Sequence, residues 1–256
     1  MSINQTLPQL VAHRGNAAEF PENTLPALRS ALESGLTHVE FDVHLSADHV
    51  PVVMHDANLK RCAGIDRDGL AMTWQELSNI VVGEAERFGS RYPVHIPSLA
   101  QVVELLGLFP QAMAFVELKR ASLRRFGPEQ MVQTVCAALQ PIAAQVVLIS
   151  FDLPALTYAR QYARLPTRLP IGWVLTEYNA ASAIKAEATA PEYLFCDYLQ
   201  LPADNSPLWR GPWQWAIYEI TTRQQAGNVA KRGAQLIESM QVRHMLSELH
   251  ALQTGT

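Results

Sequence analysis

Short runs of branched and aromatic residues alternate along this chain with longer segments whose apolar positions recur at helical spacing. The strand pattern falls at residues 10–13, 38–44, 114–118, 146–151, 171–175, 193–199, 215–220 and 235–238. Helical spacing falls at 23–34, 128–139, 153–162, 180–188, 224–232 and 242–252, several of these opening on a capping residue such as Asn23, Asp152 or Asn179. Gly35 and Gly233 stand where two of the helices should stop. Strands alternating with helices predict a parallel sheet, and eight such pairs in about 250 residues predict closure into a (β/α)8 TIM barrel.

One interval breaks the rhythm. Residues 56–97 carry Gly64, Gly69, Gly83, Gly89, Pro93 and Pro97 around one modest helix at 74–80, and read as a small insertion near the C-terminal mouth after the second β/α unit. The tryptophans of 209–215, around Gly211 and Pro212, read as packing in the region of the sixth helix. No linker, charge block or low-complexity tract interrupts the chain, so residues 1–256 are expected to form one barrel domain.

Composition narrows the function classes. Hydrophobic residues at 48% and charged residues at 17% supply a full core. A net charge of -4 lacks the basic stripe that holds nucleic acid, so no nucleic-acid partner is expected. Met1 to Thr6 show neither a basic nor an apolar leader segment, and no run is long enough for stable membrane insertion, so the expected location is cytoplasmic. Cys62, Cys136 and Cys196 are odd in number and widely spaced, and read as reduced thiols. Apolar helices on a barrel exterior would allow a homodimer.

The candidate chemistry lies at strand ends. Glu40 and Asp42 stand two apart on one strand, so both face the same side. Two adjacent anions there need a cation, and Glu117 ends another apolar strand that a barrel would bring to the same face. The alternative is a solvated carboxylate pair at a strand edge. An all-oxygen trio favours Mg2+ or Ca2+ over zinc. His13 and His55 each end a hydrophobic run, where two imidazoles can divide the work of base and acid. His44 shares the face of Glu40 and Asp42 but lies further along, and reads as a supporting residue. Arg14 and Lys119, next to these groups in sequence, would meet a phosphoryl group or pair with the carboxylates. The phosphate-cradling glycine motifs and the G-x-S-x-G nucleophile elbow are absent.

Taken together, His13-Arg14-Gly15, Pro21-Glu22-Asn23-Thr24, Glu40-Phe41-Asp42-Val43, His55-Asp56 and Glu117-Leu118-Lys119 resemble the glycerophosphodiester phosphodiesterase family. The resemblance is dense over residues 11–64, returns at 96–119, and is looser beyond. It implies a (β/α)8 barrel that uses one divalent cation to hydrolyse a small-molecule glycerophosphodiester to sn-glycerol 3-phosphate and an alcohol. It further implies Glu40, Asp42 and Glu117 as metal ligands, His13 and His55 as the acid/base pair, and Arg14 and Lys119 beside the phosphate. Glu22 and Asn23 would support the mouth. The chain departs from the family at Tyr218-Glu219-Ile220-Thr221 and at Ser239-Met240, positions that wall the pocket and bear on alcohol selectivity. Tyr218 keeps an aromatic face there, with Glu238 and Ser239 as further wall residues. Two rival readings are a lysophospholipase D-type enzyme, whose apolar rim would come from 72–74 or 209–215, and a non-catalytic phosphodiester-binding barrel.

Overall fold

The computed structural model describes residues 7–162 and 169–254, so the Met1 to Thr6 reading lies outside the described residues. Nine strands form one sheet: β1 (Gln9–Ala12), β2 (His38–Leu45), β3 (Pro51–Val53), β4 (Met113–Leu118), β5 (Val146–Ser150), β6 (Ile171–Val174), β7 (Tyr193–Asp197), β8 (Gln214–Tyr218) and β9 (Leu236–Ser239). All but β3 run parallel in the order β1-β9-β8-β7-β6-β5-β4-β2, and pairing of β1 with β2 closes the barrel. The eight predicted strands are these eight, each with ends displaced by a residue or two. The stretch predicted as strand beyond Asp197 is instead a short 3-10 turn, Tyr198–Gln200.

Strand periodicity sorts the core into two layers. Val11, Phe115, Val147, Ile149, Val174, Phe195, Ala216 and Leu236 fill the barrel interior. Their neighbours in sequence, such as Leu10, Ala12, Phe41, Val116 and Leu148, pack outward against the helices. Gly172 on β6 is required by this filling, because a Cβ there would lie 2.8 Å from Ile149 Cγ2 and 3.0 Å from Phe195 Cε2. Gly172→Ala is expected to cost roughly 1–3 kcal/mol by overpacking, measured as a lowered midpoint in denaturant unfolding.

Several elements lie outside the predicted set, three of them near the site. β3 is an antiparallel strand that takes over the edge of β2 once β1 has ended, pairing Val53 with Val43. Leu99–Gly107 is a helix opened by a reciprocal Ser98–Gln101 capping box, with Leu99, Val102, Val103 and Leu106 buried at helical spacing. Arg120–Phe126 follows β4 immediately. The interval 56–97 has its own small core of Leu59, Leu70, Met72, Leu77, Val82 and Ile96 packed on Val52 and Met54. It is tied to the loop after β1 by Tyr92 Oη donating to the Glu19 carbonyl at 2.7 Å and by the Glu22 amide donating to Glu84 at 2.7 Å. No helix among the described residues is long and apolar enough to cross a membrane.

The segment before β8 covers the outer flank of the barrel. Trp209 stacks on Tyr178 with centroids 4.0 Å apart and accepts a hydrogen bond from the Trp215 indole through its carbonyl. Trp213 and Met72 are buried. Neither 72–74 nor 209–215 therefore offers the exposed apolar rim that the lipid-directed reading required.

Candidate active site

The end of β1 turns sharply into the pocket. His13 is followed by Arg14 at φ 55° and Gly15 at φ 79°. Only glycine permits this path, since a Cβ at Gly15 would lie 2.6 Å from the Ala27 carbonyl carbon. Asn23 at φ 57° and Glu219 at φ 63° are two more left-handed residues around the same pocket. Left-handed backbone at non-glycine residues costs free energy and is held in place by surrounding contacts. Here those contacts are made by the site itself.

Asn23 shows this directly. Its side chain donates to Asp42 Oδ2 at 2.8 Å and accepts from the Asp42 amide at 3.0 Å, closing the β2 edge where β1 has ended. Thr24, rather than Asn23, caps the helix Leu25–Glu33. Parallel register sets Asp42 beside Glu117, and period two sets Glu40 on the same inward face. The three carboxylates are buried, and one oxygen from each lies within 4.8 Å of the others.

Two cations face this group. Lys119 Nζ is 3.1 Å from Asp42 Oδ1 and 3.0 Å from Glu117 Oε1. Arg14 sits 3.3 Å from Asp42 Oδ2 and 3.0 Å from Glu22, while its backbone amide donates to Glu40 at 3.0 Å. Although burial acts the other way, Lys119 and Arg14 hold Asp42 well below the usual carboxylate range. For Glu40 the pull of Arg14 is outweighed, and burial and then Asp42, Glu238 and Glu117 push it well above that range. Burial and the Asp42 charge raise Glu117 to about 7. The cluster thus carries more carboxylate than its own two cations neutralise.

The histidines are held differently. His55 Nδ1 contacts Asp56 at 2.7 Å, Asp56 accepts from Arg61 at 2.6 Å, and Arg61 reaches Glu22 at 2.6 and 2.9 Å. With Nδ1 engaged, Nε2 is the nitrogen left for chemistry. His44 braces the same residue, since its Nε2 meets the His55 carbonyl at 3.0 Å while its Nδ1 meets Ser122 Oγ at 2.7 Å. His13 lies 3.9 Å from Glu40 and 3.6 Å from Glu219, with its ring tilted against Tyr218. Burial, reinforced by Arg14, lowers His13 to about 3. Burial also lowers His55, over the opposing pull of Asp42.

All eight predicted residues meet here: His13, Arg14, Glu40, His55, Glu117, Lys119 and Tyr218 line one pocket of about 110 Å³, with Asp42 directly beneath. Phe151, Val174 and Phe195 form its apolar wall. Glu238 and Glu219 also line it, and sequence reasoning underweighted both. Glu238 had the same signal as Glu40 and Glu117, a carboxylate at the end of an apolar strand. Glu22, Asp56 and Arg61 form a charged brace beneath His55 that spacing alone does not reveal.

Comparison with known proteins agrees with this geometry. A family model described as the glycerophosphoryl diester phosphodiesterase family matches residues 13–201. A glycerophosphodiester phosphodiesterase of Bacillus altitudinis is 33% identical over 147 residues, which is 57% of this chain and 58% of that protein. Glycerophosphodiester phosphodiesterase 1 of Rattus norvegicus is 34% identical over 94 residues, 36% of this chain and 28% of that protein. Each alignment thus spans less than two thirds of the relative. Among solved structures, an Oleispira antarctica phosphodiesterase in complex with the product sn-glycerol-3-phosphate superposes with a TM-score of 0.82 at 23% identity, covering 95% of this chain and 97% of the other. A glycerophosphodiester phosphodiesterase from Parabacteroides distasonis gives 0.75 at 19% identity, with 98% and 100% covered. These likenesses match the closed parallel barrel seen here. With its family match extending from the end of β1 through β7, the chain belongs to the glycerophosphoryl diester phosphodiesterase family.

Proposed function

We propose that this protein hydrolyses glycerophosphodiesters to sn-glycerol 3-phosphate and an alcohol with the aid of one divalent cation. The observation that carries this reading is the meeting, in one small pocket, of a buried carboxylate trio, two fixed cations and two imidazoles. The names and product complex of the relatives support it.

Glu40, Asp42 and Glu117 fit a divalent cation. Glu40 Oε1 is buried with no hydrogen-bond partner, and an all-oxygen donor set suits Mg2+ or Ca2+. Such an ion, when bound, polarises a phosphoryl oxygen and lowers the pKa of a coordinated hydroxyl. Arg14 and Lys119 orient the phosphate and offset charge as it develops on the nonbridging oxygens. One imidazole takes the proton of the attacking hydroxyl as the new P–O bond forms; where that hydroxyl is the glycerol's own, the cyclic phosphate so formed is then opened by water to give sn-glycerol 3-phosphate. The other imidazole gives a proton to the alcohol oxygen as its P–O bond breaks. Burial lowers both rings, and the arriving phosphodiester anion raises the one it faces. Tyr218 closes one side against His13.

Asn23→Ala removes both bonds that fix Asp42, and is expected to weaken Mg2+ or Ca2+ binding by roughly 10–100-fold, measured by calorimetric titration. The reading itself is tested by release of sn-glycerol 3-phosphate from glycerophosphocholine and glycerophosphoethanolamine. Turnover is expected to vanish with EDTA and return with Mg2+ or Ca2+. Tight binding of either diester without metal-dependent release would overturn hydrolysis in favour of a binding barrel. The three free cysteines fit a reducing, cytoplasmic setting for this reaction.

A further inference from the structure

A second group of ligand-bearing side chains overlaps the first, and one of its members, Glu238, has no part in the chemistry above. β1 pairs with both β2 and β9, so the inward residues at their upper ends, His13, Glu40 and Glu238, converge on one point. One ligand atom from each lies within 4.8 Å of the others. Each residue also carries a buried polar atom with no hydrogen-bond partner: His13 Nδ1, Glu40 Oε1 and Glu238 Oε1. Glu238 is 3% exposed and lines the pocket. The nearest carboxylate to His13 Nδ1 is Glu219, at 3.6 Å, too long for a hydrogen bond. The orphaned carboxylate oxygens of Glu40 and Glu238, with His13 Nε2 facing Glu40 at 3.9 Å, leave a solvation deficit that a ligand among these residues would relieve.

We propose that His13, Glu40 and Glu238 form a second divalent-cation site, sharing Glu40 with the Glu40–Asp42–Glu117 trio. The donor sets of the two sites differ in kind. The first offers oxygen alone, whereas the second offers an imidazole nitrogen with two carboxylates, a set suited to Zn2+ or Mn2+ over Mg2+ or Ca2+.

The consequence rests on the acid/base role given to His13 under the proposed function. An ion on His13 occupies the lone pair that would otherwise carry a proton, so filling the second site arrests turnover while the first site stays loaded. Mg2+ would then support activity, and Zn2+ would inhibit without having to displace it. A phosphodiesterase built this way is silenced by excess transition metal.

The test uses the full chain with saturating Mg2+. Wild-type protein is expected to bind one Zn2+ per chain by calorimetry and to lose turnover as that ion binds. Glu238→Gln keeps the side-chain volume, and its folding is checked by its unfolding midpoint. It is expected to raise the half-inhibitory Zn2+ concentration at least about tenfold relative to its own Mg2+-supported rate. Zn2+ inhibition unchanged in Glu238→Gln would overturn the site, since displacement of Mg2+ from the first trio does not involve Glu238. Mn2+ bound to wild-type protein beside Mg2+ gives an independent readout: nitrogen coupling in pulsed electron spin resonance supports the site, and oxygen ligands alone overturn it. If no diester is turned over while the second ion and its nitrogen ligand are both found, the hydrolase reading fails and the site stands.

Discussion

Replacing His55 or His13 with Ala will lower turnover of a glycerophosphodiester by roughly 10²–10⁴ while leaving the affinity of the Glu40–Asp42–Glu117 trio for its cation nearly intact. The expectation follows from geometry. Neither ring contributes to the all-oxygen trio, yet both line the pocket that it faces. The two variants should nonetheless differ in rescue. His55 is clamped through Nδ1 by Asp56, which Arg61 and Glu22 hold in turn, so small imidazoles added to His55→Ala meet a partner that orients them. His13 has no comparable clamp, because its contacts to Glu40 and Glu219 are 3.9 and 3.6 Å. Kinetics at saturating Mg2+ with parallel binding isotherms would separate chemistry from loading. Turnover unchanged in both variants would sink the acid/base assignment.

In EDTA, the protein will lose stability as pH rises above about 6.5, and saturating Mg2+ or Ca2+ will abolish that loss. The sign comes from proton counting. Glu40 and Glu238 are raised well above 4.5, and Glu117 to about 7, so the folded chain keeps protons that the unfolded chain has released. Their contribution to stability is full below the unfolded value and fades as pH climbs through the folded one. His13, lowered to about 3, His44, lowered to about 4, and His55 act oppositely, but only up to their unfolded value of 6.5. Between roughly pH 4.5 and 6.5 the two sets offset one another. Above that, the carboxyls act alone, at up to about 1.4 kcal/mol per pH unit for each that still holds its proton. A bound cation replaces those protons and removes the slope. Thermal midpoints across pH 6.5 to 8, with EDTA and with Mg2+, are the measurement. A flat profile in EDTA would contradict the buried repulsion described here.

Much of the scaffold was legible because strand and helix impose different periods. On β2 the apolar Val39, Phe41, Val43 and Leu45 alternate with the polar His38, Glu40, Asp42 and His44, and on β4 Glu117 ends an inward row of Met113 and Phe115, so the three carboxylates stand out on one face. The apolar run before His55 was legible, but three residues carry too little period to show that it pairs antiparallel with β2, and 99–107, despite Leu99, Val102, Val103 and Leu106 at helical spacing, was missed as a helix. Asn23 looked like a helix cap, since Asn is a favoured capping residue, but its left-handed backbone turns its amide onto Asp42 and leaves capping to Thr24.

What the amino-acid sequence determined by itself was therefore the barrel, the strand ends and the kinds of charge placed on them, because periodicity and local turn chemistry act over a few residues. Only the tertiary structure decided which charges become neighbours. Asp42 lies beside Glu117 through strand register, His44 reaches Ser122, and Glu238 comes to His13 and Glu40 through closure of β9 onto β1. Those meetings join residues tens to hundreds of positions apart, and burial in a common pocket then sets how strongly each charge is felt.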